Sequence, residues 1–179
     1  MAAAAVVAAE RLTTARLELV AATPELLRAE LDGPACLATL LGVATPPDWP
    51  PPLNSVETLH YTLRFLEDAP EHAGWMSWYF IGKEERVLVG QGGYAGLPAG
   101  GSVEVGYSLV PAHQKRGYAT EAVRALIDRA AARPDVRTIT AQTLPELTAS
   151  IRVLERLGFR FAGAGAEPGA IRYTLSLMR

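Results

Sequence analysis

Residues 103–123 read VEVGYSLVPAHQKRGYATEAV, and this run decides how the chain folds. Its first part is rich in valine and alternates apolar with small or polar residues, which predicts a strand. A helix is predicted over 117–132 because apolar residues recur there at helical spacing, at Ala119, Ala122, Val123, Leu126, Ile127 and Ala130. Lys115, Arg116 and Gly117 stand at the start of this helix, where the helix dipole disfavours cations. An anion bound by the main-chain N–H groups of the loop would account for cations at this position; the alternative is an ordinary capping turn with solvated cations.

The elements on either side of this run predict a mixed α+β domain. The strands at 103–110 and 137–144 flank the long helix, so a right-handed crossover should pair them in parallel. Further strands are predicted at 16–22, 75–82, 86–94, 159–163 and 170–178, mostly in antiparallel pairing because the spacers are short. Further helices are predicted at 24–31, 35–41, 56–68 and 147–157. The proline-rich stretch 45–55 cannot be regular structure and is expected to form a surface loop.

Length and composition limit the classes of protein to consider. The 179 residues are expected to form a single domain over 1–179, in which the alanine-rich start, 1–14, is a flexible extension. A net charge of −2 gives no reason to expect a general affinity for nucleic acid or for a membrane surface. A cytoplasmic location is the default, and a homodimer is left open. Three scattered histidines with no acidic cluster predict that there is no metal site.

The glycine-rich stretch GQGGYAG (90–96) contains the spacing of a dinucleotide-binding fingerprint. That motif requires a helix directly after it to receive the pyrophosphate. Here another strand follows, so the glycines are expected to serve a bulge and a hairpin instead.

Residues 114–119, QKRGYA, match the Q/R-x-x-G-x-G/A signature of the GCN5-related N-acetyltransferases (GNAT). The run at 103–123 and TLPELTASIRVLERLGF (143–159) resemble the ribosomal-protein N-terminal acetyltransferase (RimJ/RimL-like) branch. TARLELVAATPE (14–25) and GQGGYAGLP (90–98) are similar to that branch as well, so the resemblance covers nearly the whole chain.

The resemblance implies a cofactor site for acetyl-CoA, used as a co-substrate without a metal. In such enzymes the amides of the signature loop hold the pyrophosphate, and the end of the preceding strand pairs with the pantetheine arm. The strand pair at the centre of the sheet, 103–110 and 137–144, is expected to splay apart there. The cofactor-binding residues implied are Leu109, Val110, Gln114, Lys115, Arg116, Gly117, Tyr118, Ala119 and Thr120.

The resemblance also implies two catalytic residues. Glu104 is the candidate base, on the strand face that also carries Gly106 and Ser108; the alternative is a solvated strand carboxylate. Ser150 is the candidate group to protonate or bind the thiolate, the alternative being a helix serine bonded to its own backbone. The chain departs from the family at Leu154, where many members carry a tyrosine, and at Leu147, where the branch usually has an asparagine that helps to hold the cofactor arm.

The sequence therefore predicts transfer of an acetyl group from acetyl-CoA to a primary amine by direct attack in a ternary complex. The acceptor is a protein N-terminus or a small-molecule amine, including an antibiotic. Two alternatives remain: a catalytically silent acyl-CoA-binding or sensor domain of the same fold, and a phosphate-binding structural module. The aromatic residues expected either in the core or around the acceptor pocket are Trp49, Phe65, Trp75, Trp78 and Tyr79.

Overall fold

The computed structural model describes residues 8–52 and 54–177. The first half of the predicted N-terminal extension and the end of the last predicted strand lie outside the described residues. The helices are α1 (Pro24–Asp32), α2 (Pro34–Leu41), α3 (Val56–Asp68), α4 (Tyr118–Ala131) and α5 (Thr148–Arg156). The strands are β1 (Arg11–Thr13), β2 (Leu17–Ala21), β3 (Ser77–Gly82), β4 (Val87–Tyr94), β5 (Ser102–Leu109), β6 (Thr138–Thr143), β7 (Arg160–Ala164) and β8 (Ile171–Ser176).

All of these strands belong to one sheet, in the order β1-β2-β3-β4-β5-β6-β8-β7. Every neighbouring pair is antiparallel except β5 and β6, which run parallel on either side of the α4 crossover. The prediction of a mixed, mostly antiparallel sheet with a central parallel pair is confirmed. The prediction is correct because α4 is long and strongly periodic, and a helical crossover between neighbouring strands leads to parallel pairing.

Helices cover both faces of the sheet, as predicted. On one face, α4 and α5 pack on a core that includes Leu17, Phe80, Val103, Val105, Leu126 and Leu154. On the other face, α1, α2 and α3 cover the β2–β4 half, with a core that includes Val20, Leu26, Leu37, Trp49, Tyr79 and Ile81. The β5–β6 half of this second face carries short and polar side chains instead. The sheet is therefore left uncovered by these helices beside Glu104.

The N-terminal extension predicted for 1–14 is too long. Arg11–Thr13 form the edge strand β1, which pairs with β2. Glu10 is held as well, because its carboxylate accepts two hydrogen bonds of 2.7 Å from the Arg129 guanidinium, which also stacks 4.5 Å over the ring of Trp75. A strand of three residues is below the length at which alternation can be recognised in a sequence.

Among the described helices, the longest is α4 with 14 residues. None is long and apolar enough to cross a membrane.

Candidate functional site

The two central strands separate at the middle of β5. Parallel pairing runs from Ser102↔Thr138 to Val105↔Ala141 and goes no further. Beyond it, β5 continues to Leu109 and still pairs with β4 on its other side. The splayed strand pair predicted from the family resemblance is therefore present, and it opens toward the end of the sheet where α4 begins.

The main-chain groups along this opening follow from the hydrogen bonds on the β4 side. Glu104 O accepts from Ala95 N at 3.0 Å, and Val110 N donates to Val89 O at 3.0 Å. Because main-chain groups alternate between the two sides of a strand, those of Tyr107 and Leu109 point toward β6. The main-chain groups of Leu109 thus point into the opening, whereas the amide of Val110 is already used on β4. Tyr107 was not among the residues predicted to bind the cofactor.

The loop after β5 has an unusual backbone. Lys115 has φ +62° although it is not a glycine, and Gly117, the residue before α4, has φ +81°. Left-handed residues in a turn bring successive main-chain N–H groups to one concave side, which is the geometry of a main-chain anion site. Lys115, Arg116 and Gly117 are exposed, and no side chain of the residues that the structure describes caps the N-terminus of α4. The first-turn N–H groups therefore face outward.

A buried hydroxyl at the start of α4 has no partner among the described residues. Thr120 Oγ1 is shielded from solvent but makes no hydrogen bond within that part of the chain, and an unpaired buried hydroxyl normally costs stability. A phosphate oxygen bound at the start of α4 would accept hydrogen bonds from this hydroxyl and from the free N–H groups of the first turn. The residues present therefore fit the pyrophosphate of a CoA ester. Nearby, Gln114 Nε2 donates to Leu109 O at 3.0 Å and ties the loop to the end of β5.

Glu104 lies one residue before the point at which β5 and β6 separate. Its side chain is half-buried on the face that α4 and α5 do not cover, and its Oε2 accepts from Gln142 Nε2 at 2.8 Å. Gln142 Oε1 in turn accepts from the backbone N of Ala166 in the β7–β8 loop. Next to Glu104, a side chain at Gly106 would meet none of the described residues within 4 Å. The carboxylate therefore borders an open, polar part of the sheet surface.

Ser150 sits in the first turn of α5, across the opening from β5. The Tyr107 hydroxyl lies 3.2 Å from Ser150 Oγ and also donates to Ser150 O at 3.2 Å. Burial raises the pKa of Tyr107, and the hydrogen bond with Ser150 opposes the shift. Tyr107 is therefore a protonated phenol that fixes the position of Ser150. Leu154, at the position where many family members carry a tyrosine, is fully buried in the core.

Leu147 occupies the N-cap position of α5. It makes no capping hydrogen bond, and its side chain is 40% exposed. An asparagine there would accept hydrogen bonds from the first-turn N–H groups, which a leucine cannot do. These donors are left at the rim of the opening between β5 and α5.

Most of the aromatic residues expected in the core or the pocket wall are in the core. Trp49, Trp75, Trp78 and Tyr79 are between 0% and 8% exposed, and Phe65 packs at the edge of the cluster under α1–α3. The proline-rich loop lies over the end of β5, because Asp48 Oδ2 accepts from the backbone N of Ala112 at 3.2 Å.

A buried carboxylate lies beneath this loop. Glu30 of α1 accepts from the Tyr79 hydroxyl at 2.7 Å and from Gln91 Nε2 at 3.1 and 3.2 Å. Gln91 Oε1 accepts in turn from Asn54, at the end of the proline-rich loop. Burial raises the pKa of Glu30, and the bonds from Tyr79 and Gln91 oppose that shift. Glu30 lies four residues after Leu26 and three after Leu27, so the helical spacing puts it on the inner face of α1, which is the signal in the sequence that could have identified it.

The glycines of the rejected dinucleotide motif serve the sheet. β4 leads into β5 through a loop at 95–101 rather than into a helix, as predicted. A Cβ at Gly90 would lie 2.4 Å from Ser108 O, so this glycine allows the two strands to approach.

Comparison with known proteins agrees with this geometry. A family model described as an acetyltransferase (GNAT) domain matches residues 16–160. The uncharacterized N-acetyltransferase YjdG of Bacillus subtilis (strain 168) is 33% identical over 130 residues, which cover 71% of this chain and 76% of that protein.

Two solved structures of known relatives share the fold. RimL, described as a ribosomal L7/L12 alpha-N-protein acetyltransferase in complex with coenzyme A, has a TM-score of 0.65 and 20% identity, covering 94% of this chain and 98% of that one. An acetyl transferase from Salmonella typhimurium, which modifies the N-terminal serine of the 50S ribosomal subunit protein L7/L12, has a TM-score of 0.67 and 18% identity, covering 94% and 100%. At such identities the likeness concerns the fold alone. The family model, however, spans more than half of the chain and includes the loop before α4, so the chain belongs to the GNAT family and is an N-acetyltransferase.

Proposed function

We propose that this enzyme transfers the acetyl group of acetyl-CoA to the α-amino group of a protein or peptide, by direct attack in a ternary complex. The observation that carries the proposal is the opening between β5 and β6. It has Glu104 at its closed end and the left-handed loop before α4 at its open end. A donor extended along this opening would bring its acetyl group toward Glu104 and Ser150.

The donor side would be held mainly by the backbone. The N–H groups from Lys115 to Thr120 and the unpaired Thr120 hydroxyl would bind the pyrophosphate. The groups of Tyr107 and Leu109 that point toward β6 would pair with the pantetheine amides, in the manner of an added strand. When bound, acetyl-CoA supplies an activated thioester, whose acetyl group passes to the amine while the thiol of CoA is released.

Two proton transfers accompany the reaction. Glu104 would accept a proton from the ammonium of the acceptor, directly or through one water, because only the neutral amine attacks. Gln142 holds one oxygen of this carboxylate at 2.8 Å and leaves the other for the acceptor. On the opposite side, the Ser150 hydroxyl would donate to the leaving thiolate, while the Tyr107 hydroxyl fixes its position at 3.2 Å. Binding both reactants in one orientation supplies the larger part of the acceleration.

The open sheet surface beside Glu104 favours a polypeptide terminus as the acceptor. It is open, since a side chain at Gly106 would touch none of the described residues within 4 Å. Gln142 lies between this surface and the β7–β8 loop, whose Ala166 N–H binds the same glutamine. An extended peptide needs such an open surface, whereas a small amine is usually enclosed. Two of the proteins that share this fold are described as acting on a ribosomal-protein N-terminus.

The test is the release of CoA thiol in the presence of two acceptor panels. One panel contains short peptides with free serine, alanine or methionine N-termini, and matched peptides with blocked N-termini; the other contains polyamines and aminoglycosides. We expect turnover with free peptides and none with the blocked ones, with acetylation at the α-amino group by mass spectrometry. Turnover with the small amines alone would assign the acceptor to that class. CoA binding without turnover on either panel would identify a silent acyl-CoA-binding domain.

A further inference from the structure

Arg16, directly before β2, contacts Arg116 in the loop before α4 although the two are 100 residues apart in the sequence. Its NH1 donates to Arg116 O at 2.8 Å, and its NH2 lies 3.2 Å from the position that a Cβ on Gly117 would take. The guanidinium also stacks 4.7 Å from the centre of the Tyr118 ring. Arg16 therefore touches three successive residues of the loop.

The first turn of α4 also binds Arg16, through the carboxylate of Glu121. Glu121 Oε2 accepts from Arg16 Nε at 2.7 Å, and Glu121 Oε1 accepts from Arg16 N at 2.7 Å and from Thr14 Oγ1 at 2.6 Å. Burial raises the pKa of Glu121, but the bonds from Thr14 and Arg16 outweigh it, and the net pKa is lowered. The carboxylate is therefore ionised at neutral pH and neutralises Arg16.

We propose that Arg16 is a positioning residue that holds the signature loop in its anion-binding conformation. The carbonyl of Arg116 and the N–H of Gly117 belong to one trans peptide group, so they point in opposite directions. By binding the carbonyl, Arg16 turns that N–H toward the opposite side of the loop. It also directs a negative carbonyl dipole away from the diphosphate. This inference rests on the proposed function, in which the loop binds the pyrophosphate of CoA.

Orientation, rather than charge, is the effect that this geometry favours. Glu121 cancels the charge of Arg16 at a distance of 2.7 Å, so little net attraction for a diphosphate remains. A lysine at position 16 would keep the charge. Its single ammonium group could not bind the Glu121 carboxylate and the Arg116 carbonyl with the planar fork geometry of arginine. A conservative substitution therefore separates the two explanations.

The experiment measures the affinity for CoA by isothermal titration calorimetry with Arg16→Ala, Arg16→Lys and the wild type. We expect both variants to bind CoA at least about tenfold more weakly. This factor corresponds to the loss of one hydrogen bond to a charged group, here the bond between Arg16 and the Arg116 carbonyl. The matched control is Arg28→Ala, which removes an exposed ion pair with Glu67 between α1 and α3. It should leave the affinity unchanged. Thermal unfolding without ligand checks that each variant is folded.

Each other outcome has a distinct meaning. Wild-type affinity in Arg16→Lys would overturn the positioning role and assign the effect to charge. Wild-type affinity in Arg16→Ala would remove Arg16 from the site altogether. If Arg16→Ala does not fold, Arg16→Lys alone decides. If the wild type itself does not bind CoA, the proposed function fails rather than the role of Arg16 within it.

Discussion

Gly117 offers the sharpest test of where the diphosphate binds. Its φ of +81° is in the left-handed region, where an alanine costs about 1–2 kcal/mol while asparagine and aspartate are better tolerated. A Cβ at this position would also lie 3.2 Å from Arg16 NH2, which must then move by a few tenths of an ångström. Gly117→Asn and Gly117→Asp share both of these costs because the two side chains have the same shape. They differ only in charge.

The expected difference follows from that charge. Gly117 is exposed, so an appropriate lower limit is the interaction in water, about 1 kcal/mol per pair of unit charges at ~4 Å. A diphosphate with about two negative charges would then lose about 2 kcal/mol, a factor of roughly 30 in affinity. Gly117→Asp should therefore bind CoA at least about 30-fold more weakly than Gly117→Asn.

The assay is calorimetric titration of both variants with CoA at 50 and 300 mM salt. The ratio of their dissociation constants should fall at the higher salt concentration, because exposed charges are screened. The melting temperatures without ligand should be similar, since the conformational costs are shared. Equal affinity for CoA in the two variants at low salt would refute the placement of the diphosphate at this loop.

Three further predictions concern other parts of the site. Glu104→Gln should lower turnover by about a hundredfold at pH values below the pKa of the acceptor amine. Turnover should recover at high pH, where the amine is already neutral. A pH–rate profile parallel to that of the wild type would show that Glu104 is not the base. Leu147→Asn should cap α5 and raise the free energy of unfolding by roughly 1 kcal/mol in urea titrations, and no increase would show that the position does not act as an N-cap. Glu30→Gln should flatten the pH dependence of stability. Because the pKa of Glu30 is raised in the folded state, its contribution to the free energy of unfolding is greatest below about pH 4.5. That contribution is lost as the pH rises through the folded-state pKa. Denaturation midpoints that shift with pH identically in both proteins would contradict this.

The elements with long periodic patterns could be predicted from the sequence. Helix α4 was expected at 117–132 and lies at Tyr118–Ala131, and the crossover that it forms determines the parallel pair. Strand β1 was missed because three residues beside an alanine-rich stretch carry too little pattern. Residues 70–75 form a 3-10 helix that was also missed. The expected absence of a helix after GQGGYAG followed from the strand pattern of 102–110 alone.

The candidate site could likewise be predicted only in part from the sequence. The loop at 114–119 could be found because its residues are adjacent in the sequence and resemble a family signature. The partners that fix the site could not be found, because each of them meets its residue only after folding. Arg16 and Glu121 are 105 residues apart, and Tyr107 and Ser150 are 43 apart. Tyr107 alternates with buried valines, a pattern that predicts a core residue. Its ring is indeed buried, but its hydroxyl reaches Ser150.

The opening at the centre of the sheet links binding to stability. Main-chain groups that lie in a sheet normally pair, because an unpaired buried N–H or C=O costs about as much as a lost hydrogen bond. At the end of β5 the gap with β6 removes these partners, and Gln114 replaces only one of them, at Leu109 O. The orphan hydroxyl of Thr120 adds to the same deficit. A donor that satisfies these groups restores the pairing of the sheet as it binds, so the free energy of binding and the stabilisation of the fold have the same origin. At equal concentrations, CoA should therefore raise the melting temperature more than a diphosphate alone, because it fills more of the gap and binds more tightly.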